Sequence, residues 1–449
     1  MTEPYVRDFQ AFASNGAAGA PPWLREIREG AIARFTALGF PTMKQEAWRF
    51  TSVAPIAETH FTLPGSRRPQ LALRDVAALS ALGAGPRLVF VDGRYEPGLS
   101  SLAGLPEGVQ ATSLAEATRS GPRSELARRH LARYAPWQDS AFAALNTAFL
   151  ADGAFVHVAA DTVLAQPLEV LFLATSGTAV TGAGGPTVSH PRSLFIVERG
   201  ARATLMESYA SIADGLQWTN AVTETVVGEG ARVELYRVQR EGRNAYHIAT
   251  TQSRQERDSY LGLHVLTLGG SLARHDITTV LDGTGAELIL NGLYVLGGSQ
   301  HADHHTVIDH ARPHCASHEF FNGVLAERAH GVFNGRIIVR PGAQRTDSKQ
   351  TNNNLLLSTE ARADSQPQLE IHADDVRCTH GSTVGPIDQQ QLFYLRSRGL
   401  SRETARGLLT YGFGTEILGR MPLLEVRLQL DYLVRAWLAG GGAERRRAA

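Results

Sequence analysis

The sequence predicts a mainly β fold, a solenoid of stacked coils with helical regions on either side, and three observations point to it. From Phe155 to Val376 short β-rich runs follow one another, among them SLFIVERGARATLMESY, AVTETVVGEGARVELYRV, LHVLTLGGSLARHDITTVLDGTGAELILNGLYVL and GVFNGRIIV. Within each run apolar and polar residues alternate at a period of two, as in strands with one buried face. Similar turn units recur between the runs: ERGARATL, VGEGARVEL and DGTGAELIL. Before and after this region the apolar spacing is helical instead. Recurrent turns between short strands suit coils that each stack on their neighbours. An ordinary β-sandwich or barrel is the alternative that the strand patterns leave open.

Residues 1–135 read as an N-terminal helical region. In PPWLREIREGAIARFTALGF, Trp23, Ile27, Ala31 and Phe35 share a helical face, with Pro21 and Pro22 at the start and Gly39 at the end. Thr62–Pro69, rich in Gly, Pro and Ser, reads as a loop. The β core is assigned to residues 136–383. From 384 to 440 the pattern is helical again: LFYLRSRGL ends at Gly399, Ser401 can cap a helix carrying Ala405, Leu408 and Leu409, and a third helix starts near Pro422. The tail 441–449, GGAERRRAA, reads as disordered.

Composition excludes several functions. The 44 basic residues balance 44 acidic ones, so no cationic excess exists to neutralise the phosphates of a nucleic acid. The helix–Gly–helix near the C-terminus offers few base-reading residues. Two cysteines exclude a disulfide framework and fit a reducing compartment. No signal pattern opens the chain and no apolar run has bilayer length, so a soluble, cytoplasmic protein is expected. There is no Gly-Lys dipeptide, hence no phosphate loop, and no G-x-S-x-G, C-x-x-C or H-E-x-x-H.

Two concentrations of ligand-type residues remain. HADHHTVIDHARPHCASH holds His301, His304, His305, His310, His314, His318 and Cys315 with Asp303 and Asp309, six of the 16 histidines. Imidazole and carboxylate suit zinc or iron, but strand alternation sends neighbours to opposite faces. The second is DDVRCTHGSTVGPID, where Cys378 and His380 stand two apart and share a face if the segment is extended. Thiolate with imidazole is a ligand set for zinc or an iron–sulfur cluster. Two ligands are too few for a closed site. The pair is then either a half-site completed by another chain or a buried cysteine beside an ordinary histidine.

Longer words carry more. HADHHTVIDHARPHCASHEFFNGVL, GVFNGRIIVRPGAQRTDSKQTNNNLLLS and QPQLEIHADDVRCTHGSTVGPIDQQQLFYLRSRGLS, supported by KQEAWRFT and HPRSLFIVERGA, resemble the SufB/SufD family of iron–sulfur cluster assembly proteins across nearly the whole chain. The SufD branch fits better than the SufB branch, because no cysteine precedes Cys315. The resemblance implies a right-handed parallel β-helix, a SufB-like partner joined through it, and a SufC-like ABC ATPase docked on the C-terminal helices at Leu392, Phe393, Leu408, Leu409 and Phe413. It implies a non-catalytic scaffold that holds iron or a nascent cluster transiently, fed indirectly by a desulfurase; whether the chain forms a homodimer without its SufB-like partner is left open. His380 matches the family's functionally important SufD histidine, expected to face the SufB-like subunit's essential cysteine, and Cys378 matches a neighbouring cysteine. Whether a flavin binds the assembly is left open. The competing reading is a β-helix enzyme, metal-dependent or carbohydrate-active, recruiting Arg336, Arg340 and Arg345. Lys44, Glu46, Trp48 and Arg49 fall in the word near the N-terminus, where burial of Trp48 is the expectation.

Overall fold

A computed structural model describes residues 2–15, 19–65, 71–175 and 185–439. The tail 441–449 and residues 66–69 of the expected loop lie outside them. Its centre is a β-solenoid of about seven turns with helices before and after it. Successive strands alternate between two sheets, so each strand pairs in parallel with the strand two further along the chain. In one sheet Arg202 pairs with Arg232, Arg232 with Tyr260, Tyr260 with Glu287 and Glu287 with Ala316, so a turn takes about 30 residues. A sandwich or barrel would need antiparallel neighbours, and among the described residues only the strand pairs at the N-terminal end, Arg87–Val91 with Arg94–Tyr95 and Val109–Ser113 with Gly153–Val158, run that way.

The recurrent turn units have a backbone cause. One corner of each turn bends through a left-handed residue: Gly200, Gly230, Asp258, Gly285, His314 and Arg345, with φ between 54° and 75°. Glycine adopts this conformation without penalty, whereas a side chain costs about 1–2 kcal/mol. The motifs seen in sequence are this corner, spelled with glycine in Gly200, Gly230 and Gly285.

Side chains at alternate positions fill the lumen. Ala203, Leu205, Val233, Leu235, Leu261, Leu263, Leu288 and Leu290 from one sheet meet Ala221, Ala249, Ile277 and Ile308 from the other. The helices cover the outer faces. Tyr5, Phe9, Phe35, Phe40, Phe142 and Phe149 pack on Trp218, Ile248 and Leu272 of one sheet. Helix Pro22–Leu38 ends at Gly39 as expected, but it buries Leu24, Arg28, Ala31, Ile32 and Phe35, while Trp23 and Ile27 are half-buried, so the stripe is rotated by one position from Trp23 and Ile27. The N-terminal region also contributes strands Arg87–Val91 and Val109–Ser113 to the two sheets.

The word KQEAWRFT proves to be a clasp between that region and the solenoid. The Arg274 guanidinium lies 3.7 Å from the Trp48 ring centroid and donates to the Ala47 carbonyl at 2.7 Å. The Thr51 hydroxyl donates to Asp303, which also pairs with Arg274 at 2.6 Å. Trp48 is half-buried, packed on Phe142 of helix Ala141–Ala148 at 5.4 Å between ring centroids, with the Arg274 cation over its ring.

At the other end, helices Gln389–Ser397, Arg402–Gly419 and Leu424–Ala439 fold back along the side of the solenoid. Ile417, Leu418, Met421, Val426, Leu430 and Val434 pack on outward residues such as Tyr236, Leu266, Leu293 and Val324. They leave the end of the solenoid uncovered. Strands Arg362–Ile371 and Val376–Pro386 therefore end their sheets with free edges.

Candidate functional site

Cys378 and His380 lie on the last strand, Val376–Pro386, at the open end of the solenoid. Cys378 is half-buried against the lumen core, so the even-numbered positions of this strand point inward. His380, on the same face, is exposed because no further turn covers it. Neither residue sits in a loop. The two terminal strands meet across the lumen mouth, where Ser382 Oγ donates to Ser365 Oγ at 2.8 Å.

What lies beneath this pair distinguishes it. Register alignment places one residue per turn in a column, and the column ending at His380 reads Leu205, Leu235, Leu263, Leu290, Glu319, Gln350, His380. The column ending at Cys378 reads Ala203, Val233, Leu261, Leu288, Ser317, Ser348, Cys378. Both change from apolar to polar at the same turn. Gln350 Nε2 donates to Glu319 at 2.6 Å; Ser317 and Ser348 share a hydrogen bond at 2.7 Å, and His310 Nε2 lies 2.9 Å from Ser317. Sequence reading missed these columns, because their members are about 30 residues apart and align only once the register is known.

Burial, then the Asp347 carboxylate, raises the Cys378 thiol above its ordinary value, and His380 is not among the groups that move it. A thiol held protonated is neither a strong nucleophile nor a metal ligand until it ionises. Glu319 is pushed up to about 7 by burial, partly offset by the Thr306 hydroxyl and the Gln350 amide.

The histidine-rich stretch divides as strand alternation requires. His304 and His310 are buried in the lumen, each lowered to about 4 by burial. His301, His305 and Asp303 face outward under the N-terminal region, His314 turns the corner, Cys315 is buried and His318 is exposed. Asp309 is taken by Arg340, 2.6 Å away. Among the described residues no group of three His, Cys, Asp or Glu side chains is placed to hold a metal. The arginines of the enzyme reading are engaged: Arg336 with Glu370 at 3.3 Å, Arg340 with Asp309, and Arg345 with Asp375 at 3.6 Å.

On the C-terminal helices, Leu392 is buried against Leu355, Ile387 and Ala405, and Leu409 and Phe413 pack partly beneath the surface. Phe393 and Leu408 are exposed. A stripe that sequence reading passed over, Leu424, Leu428 and Tyr432, lies on one face of Leu424–Ala439 at 51–68% exposure, largely uncovered by the described residues. Its i, i+4, i+8 spacing was visible.

Comparison with known proteins places this geometry. Residues 179–413 match the family described as "SUF system FeS cluster assembly, SufBD core domain", and residues 1–170 match the "SufBD protein N-terminal region". The chain belongs to the SufBD family. A SufBD family iron–sulfur cluster assembly protein of Synechocystis sp. PCC 6803 is 32% identical over 91% of this chain and 89% of its own. The iron–sulfur cluster assembly protein SufD of Escherichia coli K12 is 31% identical over 84% of this chain and 85% of its own. SufD of Bacillus subtilis 168 is 27% identical over 91% and 93%. The SufBD core match takes in the polar columns and the first two C-terminal helices, as far as Phe413. No helix among the described residues is long and apolar enough to cross a membrane.

Proposed function

We propose that this chain is a non-catalytic scaffold subunit of a SUF assembly, pairing edge to edge with a SufB-like subunit so that iron or a nascent cluster is held between them at Cys378 and His380. The carrying observation is the position of that pair: inward-facing, on a terminal strand, at the uncovered mouth of the solenoid. An unpaired strand edge is a template for another chain's strand. Gly381, beside His380, fits the same reading: a Cβ built there meets nothing within 4 Å and its φ is ordinary, so this chain gives no reason for glycine, whereas close approach of a partner backbone does. Thiol and imidazole from one side, completed from the other, make a site that opening the interface dissolves. A cargo held this way can be released.

The exposed stripe Leu424, Leu428 and Tyr432, with Phe393 and Leu408, supports docking of a SufC-like ATPase, with Leu392, Leu409 and Phe413 bracing it from beneath. Nucleotide chemistry then belongs to that partner, whose ATP binding drives the opening. Without the SufB-like subunit the same edges allow a homodimer, and a desulfurase system supplies sulfur indirectly. A flavin, if the assembly carries one, is a property of the whole complex. The chain works in the cytoplasm in this reading.

The test uses the complex co-expressed with its SufB-like and ATPase-like partners and purified without oxygen. His380→Ala should leave the complex assembled while bound iron and acid-labile sulfide fall sharply. Unchanged iron and sulfide would make the chain an architectural partner whose companion holds every ligand. A cysteine placed at position 380 should crosslink to a cysteine of the SufB-like subunit, with ATP changing the yield; no crosslink in either state removes the edge-to-edge arrangement.

A further inference from the structure

Glu319 is an anomaly within the fold. Six carboxyl groups are fully buried among the described residues: Glu169, Glu207, Glu224, Glu241, Asp303 and Glu319. Five have a basic partner close by: Arg87 at 2.6 Å, Arg237 at 2.8 Å, Arg192 at 2.6 Å, His247 at 2.7 Å and Arg274 at 2.6 Å, in the same order. Glu319 has none. Its polar neighbours are Thr306 from the facing sheet and Gln350 from the next turn, and no charged group acts on it from either sheet. A buried acid without a cation is costly and needs a reason.

The column supplies one. Gln350 is 1% exposed, and its Nε2 donates to Glu319. Its Oε1 is buried and has no partner in this chain. An ionised carboxylate only accepts hydrogen bonds, so it draws the NH2 of an amide and turns the amide oxygen away. The next position in that column is His380. Gly335 on the facing sheet leaves the room: a Cβ there would lie 2.2 Å from Gln350 Nε2. The leucines that fill this column in earlier turns would leave nothing for an imidazole to meet.

We propose that Glu319 and Gln350 are positioning residues for His380: the carboxyl orients the amide, and the free amide oxygen accepts the imidazole N–H, so that the other ring nitrogen faces out of the open end with its lone pair available to iron. This rests on the assembly reading of His380 and deepens it. A second partner that fixes the tautomer of a ligating histidine typically contributes 10–100-fold in metal affinity. The arrangement also responds to protonation. A protonated Glu319 can donate to the amide oxygen, the amide turns over, and His380 then meets an NH2 group instead of an acceptor. The Glu319 carboxyl, raised to about 7, puts that reversal near neutral pH.

The experiment has two arms. Histidines of the full chain are labelled with 15N, and the His380 signals are assigned by their loss in His380→Ala. One tautomer should dominate at about pH 8, where Glu319 is ionised, and lose that dominance as Glu319 takes up its proton. Gln350→Leu should give a mixed tautomer at every pH, and Glu319→Gln should abolish the pH response. If both variants leave the His380 signals and their pH response as in the wild type, the column is packing and the proposal is wrong. The second arm measures iron retained by the co-purified complex, where Gln350→Leu should weaken the hold ~10-fold or more. If the tautomer moves while iron retention does not, the positioning role stands and the reading of His380 as an iron-side group fails.

Discussion

The early and late turns of the solenoid share one backbone plan and fill it by opposite rules. At the same inward position, four turns place leucine and the next three place glutamate, glutamine and histidine. At the same left-handed corner, Gly200, Gly230 and Gly285 and a single side-chain-bearing residue, Asp258, serve the early turns, while His314 and Arg345 both accept strain in the late ones. Stability alone favours leucine and glycine at these places. The late turns give up part of that stability by placing polar groups beneath the open end, a departure from folding rules of the kind that functional sites commonly show.

The sharpest way to break this contrast is to cut into the early turns. Leu263→Ala removes a fully buried side chain from a close-packed column and should lower unfolding free energy by about 2–5 kcal/mol, read from urea unfolding followed by tryptophan fluorescence. A loss no greater than that from a surface substitution would mean the early lumen is loosely packed.

Glu319→Gln should act in the opposite direction. Its folded-state value, about 7, lies above the ordinary 4.5, so between these values the folded protein binds more protons than the unfolded chain. Wild-type stability therefore falls as pH rises through that window and levels off above it. Glutamine removes the slope, so the variant should be more stable than the wild type at pH 8, by roughly 1–3 kcal/mol, and close to it at pH 5. Denaturation across pH checks this. A variant less stable at pH 8 would show that the carboxylate has a compensating partner.

The smallest effect lies at the corner. His314→Gly relieves a φ of 62° and should raise stability by up to about 1 kcal/mol, less the added freedom of the unfolded chain. A thermal unfolding midpoint no higher than wild type would separate the corner from the rest of the contrast.

What sequence could reveal divides along the same line. The repeating turn was legible because a left-handed corner calls for glycine, and the strands because a half-buried surface imposes a period of two. Strand alternation correctly foretold that His301, His304 and His305 could not converge. Cys378 and His380 were found because they are neighbours in sequence as well as in space. Glu319 and Gln350 were hidden, since nothing local in HCASHEFF or DSKQTNNN marks them as lying below a histidine 30 to 60 residues away. The N-terminal helix was read one position out of phase because Arg28, a charged residue, is buried: its Nε donates to the Leu150 carbonyl at 2.9 Å. Trp48 and Thr51 were legible as a word but not as a clasp, because Arg274 and Asp303 lie more than 200 residues away.

The bare edges of Arg362–Ile371 and Val376–Pro386 reach beyond the single molecule. A fold that finishes on two unpaired strands offers a template for further strands, and strands of identical copies can satisfy one another. Under the proposed pairing, an excess of this chain over a SufB-like subunit would put like edges together and take subunits out of use. If the pairing holds, a cell has reason to match the output of the two chains, so that dosage, a property of synthesis, becomes part of what keeps this structure in its working form.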